Sequence, residues 1–277
     1  MYKIKVDLSN GEKLDIRIGR PELIYGATAI MRKENTEKSV YAINPLTNER
    51  MDIILGEENR FIIPMHNQND YKLALEKRLK LKLAVMPYFK GKNDEAVRNE
   101  ATTKYRHSVI VIIKNPKTGQ YLCEDARNGL CRSFVLGGME DGETIEDAAI
   151  REVKEETGYA NVKINNVSNI SVINHFFAGY KGNFNRFARL EIVFGELVND
   201  EHYEISEEEK KKHKIKWLSQ AELKQFINVE HNLFALKMLE NGESAFEGEG
   251  IMNTKDENNY KNSEEVRKII IEKYCTN

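Results

Sequence analysis

One stretch of 23 residues, Gly137 to Tyr159 (GGMEDGETIEDAAIREVKEETGY), constrains this chain more than any other. Gly137, Gly138 and Gly142 crowd its beginning, and glycine permits backbone geometries that other residues resist, so a tight loop is expected there. From Thr144 to Thr157 the spacing is helical. On that helix Glu152, Glu155 and Glu156 are related by steps of three and four and share one side. Ala148, Ala149 and Val153 supply a packing face that partly overlaps the acidic one. Carboxylates this close repel, and charges beside an apolar face are costly unless compensated. A hard divalent cation, which takes oxygen ligands, relieves both problems. A solvated acidic helix is the competing reading. Glu143 and Arg151 are expected to form an ion pair that braces the loop against the helix.

The same stretch resembles the Nudix box, which is a glycine, five residues, Glu, seven residues, then Arg-Glu-apolar-any-Glu-Glu-any-Gly-apolar. Gly137, Glu143, Arg151, Glu152, Val153, Glu155, Glu156, Gly158 and Tyr159 meet every position. The resemblance covers about residues 105–235 and implies an α/β/α sandwich with a mixed sheet. It implies a hydrolase that cleaves a diphosphate linkage in a nucleotide-like small molecule, with Mg²⁺ or Mn²⁺ as cofactor. The metal ligands it implies are Glu152, Glu155 and Glu156. Its catalytic set is Glu155, Glu152, Arg151 and Glu143, with the identity of the general base left open. Gly137, Gly138 and Tyr159 are the implied substrate-binding positions. A backbone carbonyl near Gly137 or Gly138 is a further candidate ligand. Members of the family often add a carboxylate from outside the box, for which Glu191, Glu196 and Glu207–Glu209 are candidates, and His213 stands where acidic residues are common. Phe134, Tyr159, Phe176, Phe177, Tyr180 and Phe184 are either stacking partners for a base or core residues.

The rest of the chain reads as α+β. Alternation over 2–6 and 15–18 predicts strands. Asn48 and Glu49 suit a turn between strands at 40–43 and 51–55. Leucines at 73, 75, 79 and 81 predict a helix over 70–83, and polar 90–105 reads as a linker. Ser108–Ile113 (SVIVII) is a buried-strand pattern. It is followed by a turn at Pro116–Gly119 and a return strand from Gln120. Further strands are expected near 161–176, 187–198 and 215–218, with a solvated charged run at 206–212. Ser219 is a candidate cap for a helix starting near Gln220, and Ser263 for a last helix to Tyr274 with Val266, Ile269 and Ile270 on one face.

Arg20–Gly26 (RPELIYG) is similar to the TTRPDTLFG segment in the editing domain of leucyl- and related class I aminoacyl-tRNA synthetases. Ala42–Glu49, Ile63–Tyr71 and Ala245–Asn253 resemble later segments of that domain in the same order. The resemblance implies a discontinuous α+β editing-like domain, residues 1–100 and 238–277, with the Nudix domain, 103–237, inserted in it. Arg20, His66, Asn67 and Asp70 would mark its pocket. Ile18 and Gly19 replace the paired threonines, and Asn67 replaces the Asp that anchors an amino group. Asn lacks the full charge an ammonium prefers. These departures argue against hydrolysis of aminoacyl-tRNA esters and leave the four residues as binding groups or structural remnants.

Charge and cysteine usage exclude other classes. Lys plus Arg is 42 and Asp plus Glu is 44, so no basic excess points to nucleic acid, and tRNA is the weaker partner reading. The cysteines, Cys123, Cys131 and Cys275, contain no CxxC, which argues against a disulfide framework or structural zinc. The alternating start is unlike a signal peptide, and no apolar run would span a bilayer. The expectation is a cytoplasmic protein without a membrane partner.

Overall fold

The computed structural model describes residues 1–126, 129–242, 245–253 and 259–276; the side chains of Glu208, Glu209, Lys212 and His213 lie outside the described residues. Alternation builds the first hairpin. In β1 (Tyr2–Asp7) Ile4 and Val6 are buried while Lys5 and Asp7 are exposed, and β2 (Lys13–Ile18) buries Ile16. Four short strands, β3 (Ala29–Arg32), β4 (Ala42–Ile43), β5 (Arg50–Leu55) and β6 (Arg60–Ile62), form a second sheet in the order β4-β5-β3-β6. The turn before β5 contains Asn48 at φ 60°, a left-handed geometry that Asn tolerates. Helix α1 (Gln68–Lys77) starts where the Asn67 side chain accepts from the N–H groups of Asn69 and Asp70. It stops short of the expected residue 83 because Arg78 turns left-handed, φ 56°, leaving Leu79 and Leu81 beyond the helix.

The next elements make one large mixed sheet and its helices. They are β7 (Tyr88–Lys90), β8 (Thr103–Lys114), β9 (Tyr121–Ala126), β10 (Cys131–Ser133), β11 (Val135–Gly138), α2 (Ile145–Thr157), β12 (Val162–Val167), β13 (Val172–Ala178), β14 (Phe184–Leu197), α3 (Glu207–Lys212), β15 (His213–Leu218), α4 (Gln220–Phe226) and α5 (Glu230–Asn241). β8 and β14 run parallel at its centre, and β14 pairs antiparallel with β13. Val109, Val111 and Ile113 of β8 pack with Val193 of β14 against Ala148, Ala149 and Val153 of α2. Ile110 and Ile112, which point the other way, are buried too. A strand covered on both faces has no polar alternation to show, which explains the apolar run.

One expectation is corrected here. The segment 90–105 contains strand at both ends: β7 pairs in parallel with β13, and β8 already begins at Thr103. Its side chains are polar because residues 103–107 are exposed; the pairing with β14 is made by the backbone. The charged run at 206–212 is exposed wherever its side chains are described, as expected, and from Glu207 to Lys212 it forms α3. Ser219 caps α4 through a reciprocal pair with Glu222, its backbone N–H donating to that carboxylate at 2.7 Å.

The chain then returns through β16 (Ile251–Asn253), β17 (Tyr260–Asn262), α6 (Ser263–Tyr274) and β18 (Cys275–Thr276), which pairs with β1. Asn262, not Ser263, caps α6 by accepting from Glu264 N–H. Ser263 is buried and bonds Glu249 at 2.5 Å. Val266 and Ile270 are in the core, but Ile269 is 50% exposed, since it falls off the stripe that its two neighbours share. The chain divides into two compact units: Met1–Pro87 with Ser244–Asn277, and Tyr88–Glu243. Both are mixtures of helix and strand. The three cysteines are free. Among the described residues no helix is long and apolar enough to cross a membrane.

Candidate active site

Helix α2 carries the acidic side chains, and its ends are set by local chemistry. The Thr144 hydroxyl accepts from Asp147 N–H at 3.1 Å, and Gly158, at φ 81°, closes the far end in the geometry glycine favours. Between them the inward side is Ala148, Ala149, Glu152 and Val153, all buried. Glu155 points outward with 57% of its side chain exposed, and Glu156 is half-buried.

Arg151 gathers this region. Its Nε donates to Glu143 Oε1 at 2.8 Å and its Nη2 to Glu143 Oε2 at 2.9 Å. Nη2 also donates to the Gly138 carbonyl at 2.8 Å. Nη1 reaches Glu152 Oε1 at 2.9 Å and Glu155 Oε2 at 3.2 Å. The guanidinium therefore ties the glycine loop to the helix, as a planar fork can. It holds the Glu143 carboxyl below the usual carboxylate range, and these partners raise its own already high pKa. Glu152 is different. Burial pushes its carboxyl up, against the opposing pull of Arg151. Glu152 lies directly on Gly137, where a Cβ would stand 1.9 Å from the Glu152 Cδ. Only a glycine leaves room for that carboxylate.

The sequence reading missed Glu124. It sits on β9, two residues from Leu122, which belongs to the core cluster of α2, so both face the helix. Glu124 is 4% exposed, and its carboxyl shares a hydrogen bond with Glu156. Burial and then the Glu156 charge push it well above the usual range. Its Oε1 has no hydrogen-bond partner among the described residues. A charged residue in register with buried Leu122 was the available signal.

The other expected carboxylates lie elsewhere. Glu191 is buried but receives His107 Nε2 and Arg189 Nε, each at 2.8 Å. Glu196 pairs with Lys163 at 3.3 Å and Glu207 with Lys210 at 2.7 Å. The side chains of Glu208, Glu209 and His213 fall outside the described residues. Tyr159 accepts from Trp217 Nε1 at 3.0 Å and packs edge-on against it. Phe134, Phe177 and Phe184 are core; Tyr180 is 54% exposed. No three His, Cys, Asp or Glu side chains converge on one point among the described residues.

In the other unit, Arg20 donates to Glu22 and to the Glu247 carbonyl, each at 2.8 Å. His66 Nε2 accepts from Ala84 N–H at 2.9 Å and Val85 N–H at 3.2 Å, which leaves Nδ1 to donate to the Phe246 carbonyl at 2.7 Å. Asn67 caps α1. Asp70 accepts from Arg60 at 2.6 Å and from Ile63 N–H at 2.8 Å. All four hold chain segments together.

Residues 104–238 match the model of the NUDIX domain. This part of the chain is a NUDIX domain. The chain is 36% identical over 74 residues to the ADP-sugar pyrophosphatase of Mus musculus, a match that covers 25% of this chain and 30% of that protein. The NUDIX unit is also similar to solved structures. One is a NUDIX hydrolase from Nitrosomonas europaea, at 20% identity and TM-score 0.37, covering 51% of this chain and 93% of that one. Another is a C. elegans Ap4A hydrolase, at 18% identity and TM-score 0.38, covering 50% and 98%.

Proposed function

We propose that the NUDIX unit hydrolyses a diphosphate linkage in a nucleoside diphosphate derivative, with Mg²⁺ or Mn²⁺ as cofactor. The observation that carries this reading is the placement of Glu152. It is a carboxylate kept in a niche that Gly137 leaves open and steadied by an arginine that also grips the loop. An ordinary acidic surface helix has no need of such a niche. The donors are of the kind a hard cation takes: Glu152 is buried on α2, Glu156 is half-buried beside it, and the buried Oε1 of Glu124, which neighbours Glu156, has no hydrogen-bond partner among the described residues.

Glu152 and Glu156 would hold the cation, with Glu155 at the solvent side. When bound, the cation supplies charge neutralisation at the phosphate oxygens and a more acidic water. Arg151 and Glu143 position the loop and do not touch substrate. Glu155, the exposed carboxylate, orients the attacking water and takes its proton as the water oxygen bonds to one phosphorus. The bridging P–O bond breaks and the departing phosphate keeps the electron pair. Gly137 and Gly138 place their loop beside the acidic helix, Gly137 by leaving room for Glu152 and Gly138 by offering its carbonyl to Arg151, so that a substrate would meet the loop's own backbone. Tyr159 braces the end of α2 against Trp217. The first unit is assigned no ester hydrolysis, because Arg20, His66, Asn67 and Asp70 are engaged in its own fold, and the net charge of −2 gives tRNA no general attraction.

The test is product release across ADP-sugars, dinucleoside polyphosphates and nucleoside triphosphates, with Mg²⁺ and with chelator, for wild type and Glu156→Gln. ADP-sugars lead the panel because the mouse relative carries that name. Metal-dependent cleavage lost in the variant supports the reading. Cleavage unaffected by chelator and by Glu156→Gln would refute it.

A further inference from the structure

The described residues contain five buried carboxylates: Glu22, Asp70, Glu124, Glu152 and Glu191. Four have a guanidinium at hydrogen-bond distance. Arg267 reaches Glu22 at 2.7 Å, Arg60 reaches Asp70 at 2.6 Å, Arg151 reaches Glu152 at 2.9 Å and Arg189 reaches Glu191 at 2.8 Å. This is what the physics of burial requires, since a carboxylate withdrawn from water is costly unless a positive group or several donors meet it. Glu124 is the exception. No cation pairs with it among the described residues, and its closest charged neighbour is another carboxylate, Glu156. Its Oε1 has no hydrogen-bond partner among the described residues.

Position separates Glu124 from a random core defect. β9 places it on the sheet face covered by α2, in register with Leu122 of the core cluster. Its electrostatic neighbours are Glu156, Cys131 and Glu152, two of them acids of the helix. A threonine or valine would fill the same strand position at no electrostatic cost. An acid there makes sense where a positive charge enters the space between strand and helix.

We propose that Glu124 is the carboxylate outside the box that completes the divalent-cation site, acting with Glu156 from across the helix–sheet interface. This rests on the metal-dependent reading above. It replaces Glu191, Glu196 and Glu207 as candidates, because those pair with Arg189, Lys163 and Lys210, whereas Glu124 is the one that neighbours Glu156 and Glu152 of the acidic helix. Glu124 binds the cation and takes no part in proton transfer. The cation is in turn what compensates its burial.

The experiment is Mn²⁺ titration of the full chain, following the free-ion signal by electron paramagnetic resonance. Wild type, Glu124→Gln, Glu124→Thr and Glu196→Gln are compared, and thermal midpoints are recorded with and without Mn²⁺. We expect Glu124→Gln and Glu124→Thr to weaken Mn²⁺ binding at least tenfold. Without metal their midpoints should equal or exceed that of wild type, because an uncompensated acid has been removed. The metal-induced rise in midpoint should shrink in both, and Glu196→Gln should behave as wild type. Wild-type Mn²⁺ affinity in the Glu124 variants overturns the proposal and leaves the cation reading intact. So does a lowered midpoint without metal, which would make Glu124 a structural partner of Glu156. Absence of Mn²⁺ binding by wild type overturns both readings.

Discussion

Gly137→Ala is the sharpest perturbation of the site. A Cβ at this position would stand 1.9 Å from Glu152 Cδ and 2.0 Å from its Cγ. To regain ordinary separation the carboxylate must retreat by about 1.5 Å. Retreat is obstructed: Glu152 is 8% exposed and its Oε1 is held by Arg151 at 2.9 Å. Forcing an extra methyl into such a place costs about 1–3 kcal/mol. Removing glycine from the unfolded chain returns about 0.4–1 kcal/mol of that, so a net loss of about 1–2 kcal/mol is expected. The effect on chemistry is larger, since a 1 Å misplacement can cost about 100-fold. Urea unfolding, Mn²⁺ affinity and turnover are the three measurements. Two alanine substitutions serve as comparisons. At Gly138 the three atoms nearest the Cβ belong to the far end of exposed Arg106, with Nη2 at 1.7 Å, and Gly19 has nothing within 4 Å. Both should lose less stability than Gly137→Ala. If Gly137→Ala keeps wild-type stability, Mn²⁺ affinity and turnover, the niche has no role.

The remaining predictions concern titration and the first unit. Arg151 holds Glu143 below the usual carboxylate range, so this pair adds stability at neutral pH that disappears as pH falls through the depressed pKa. Acid unfolding of Glu143→Gln should therefore lack part of the wild-type slope, and an unchanged slope would count against the bridge. Burial lowers His66 from 6.5 to about 4. The unfolded chain thus gains a proton first, and stability drops by roughly 3 kcal/mol as pH falls from about 6.5 to 4. His66→Gln should flatten that part of the stability profile; a profile identical to wild type would mean the imidazole is not held neutral. Asp70→Asn should cost about 1.5–3 kcal/mol, the value of hydrogen bonds to a charged group, without altering nucleotide turnover. A variant as stable as wild type would show that Arg60 and Ile63 N–H do not depend on the carboxylate.

The acidic helix was legible in the sequence because its information is local. Glycines, an N-capping Thr144, a C-terminal Gly158 and acids at steps of three and four all act within a few residues of one another. The bridge from Arg151 to Glu143 spans eight residues and could be read for the same reason. Tertiary structure decided what long-range pairing controls. The strand at 103–107 has exposed polar side chains and is a strand only because β14 lies beside it. Asn262 displaced Ser263 as the cap of α6 because Ser263 is turned inward to Glu249 and Gly250. Which acid accompanies Glu156 was invisible along the chain, because Glu124 lies 32 residues before it and meets it only when β9 and α2 pack. The sequence by itself determined the chemistry carried on one helix. The folded sheet determined which other side chains share its buried space, because burial and Coulomb interaction depend on distance through space, and separation along the chain does not set that distance.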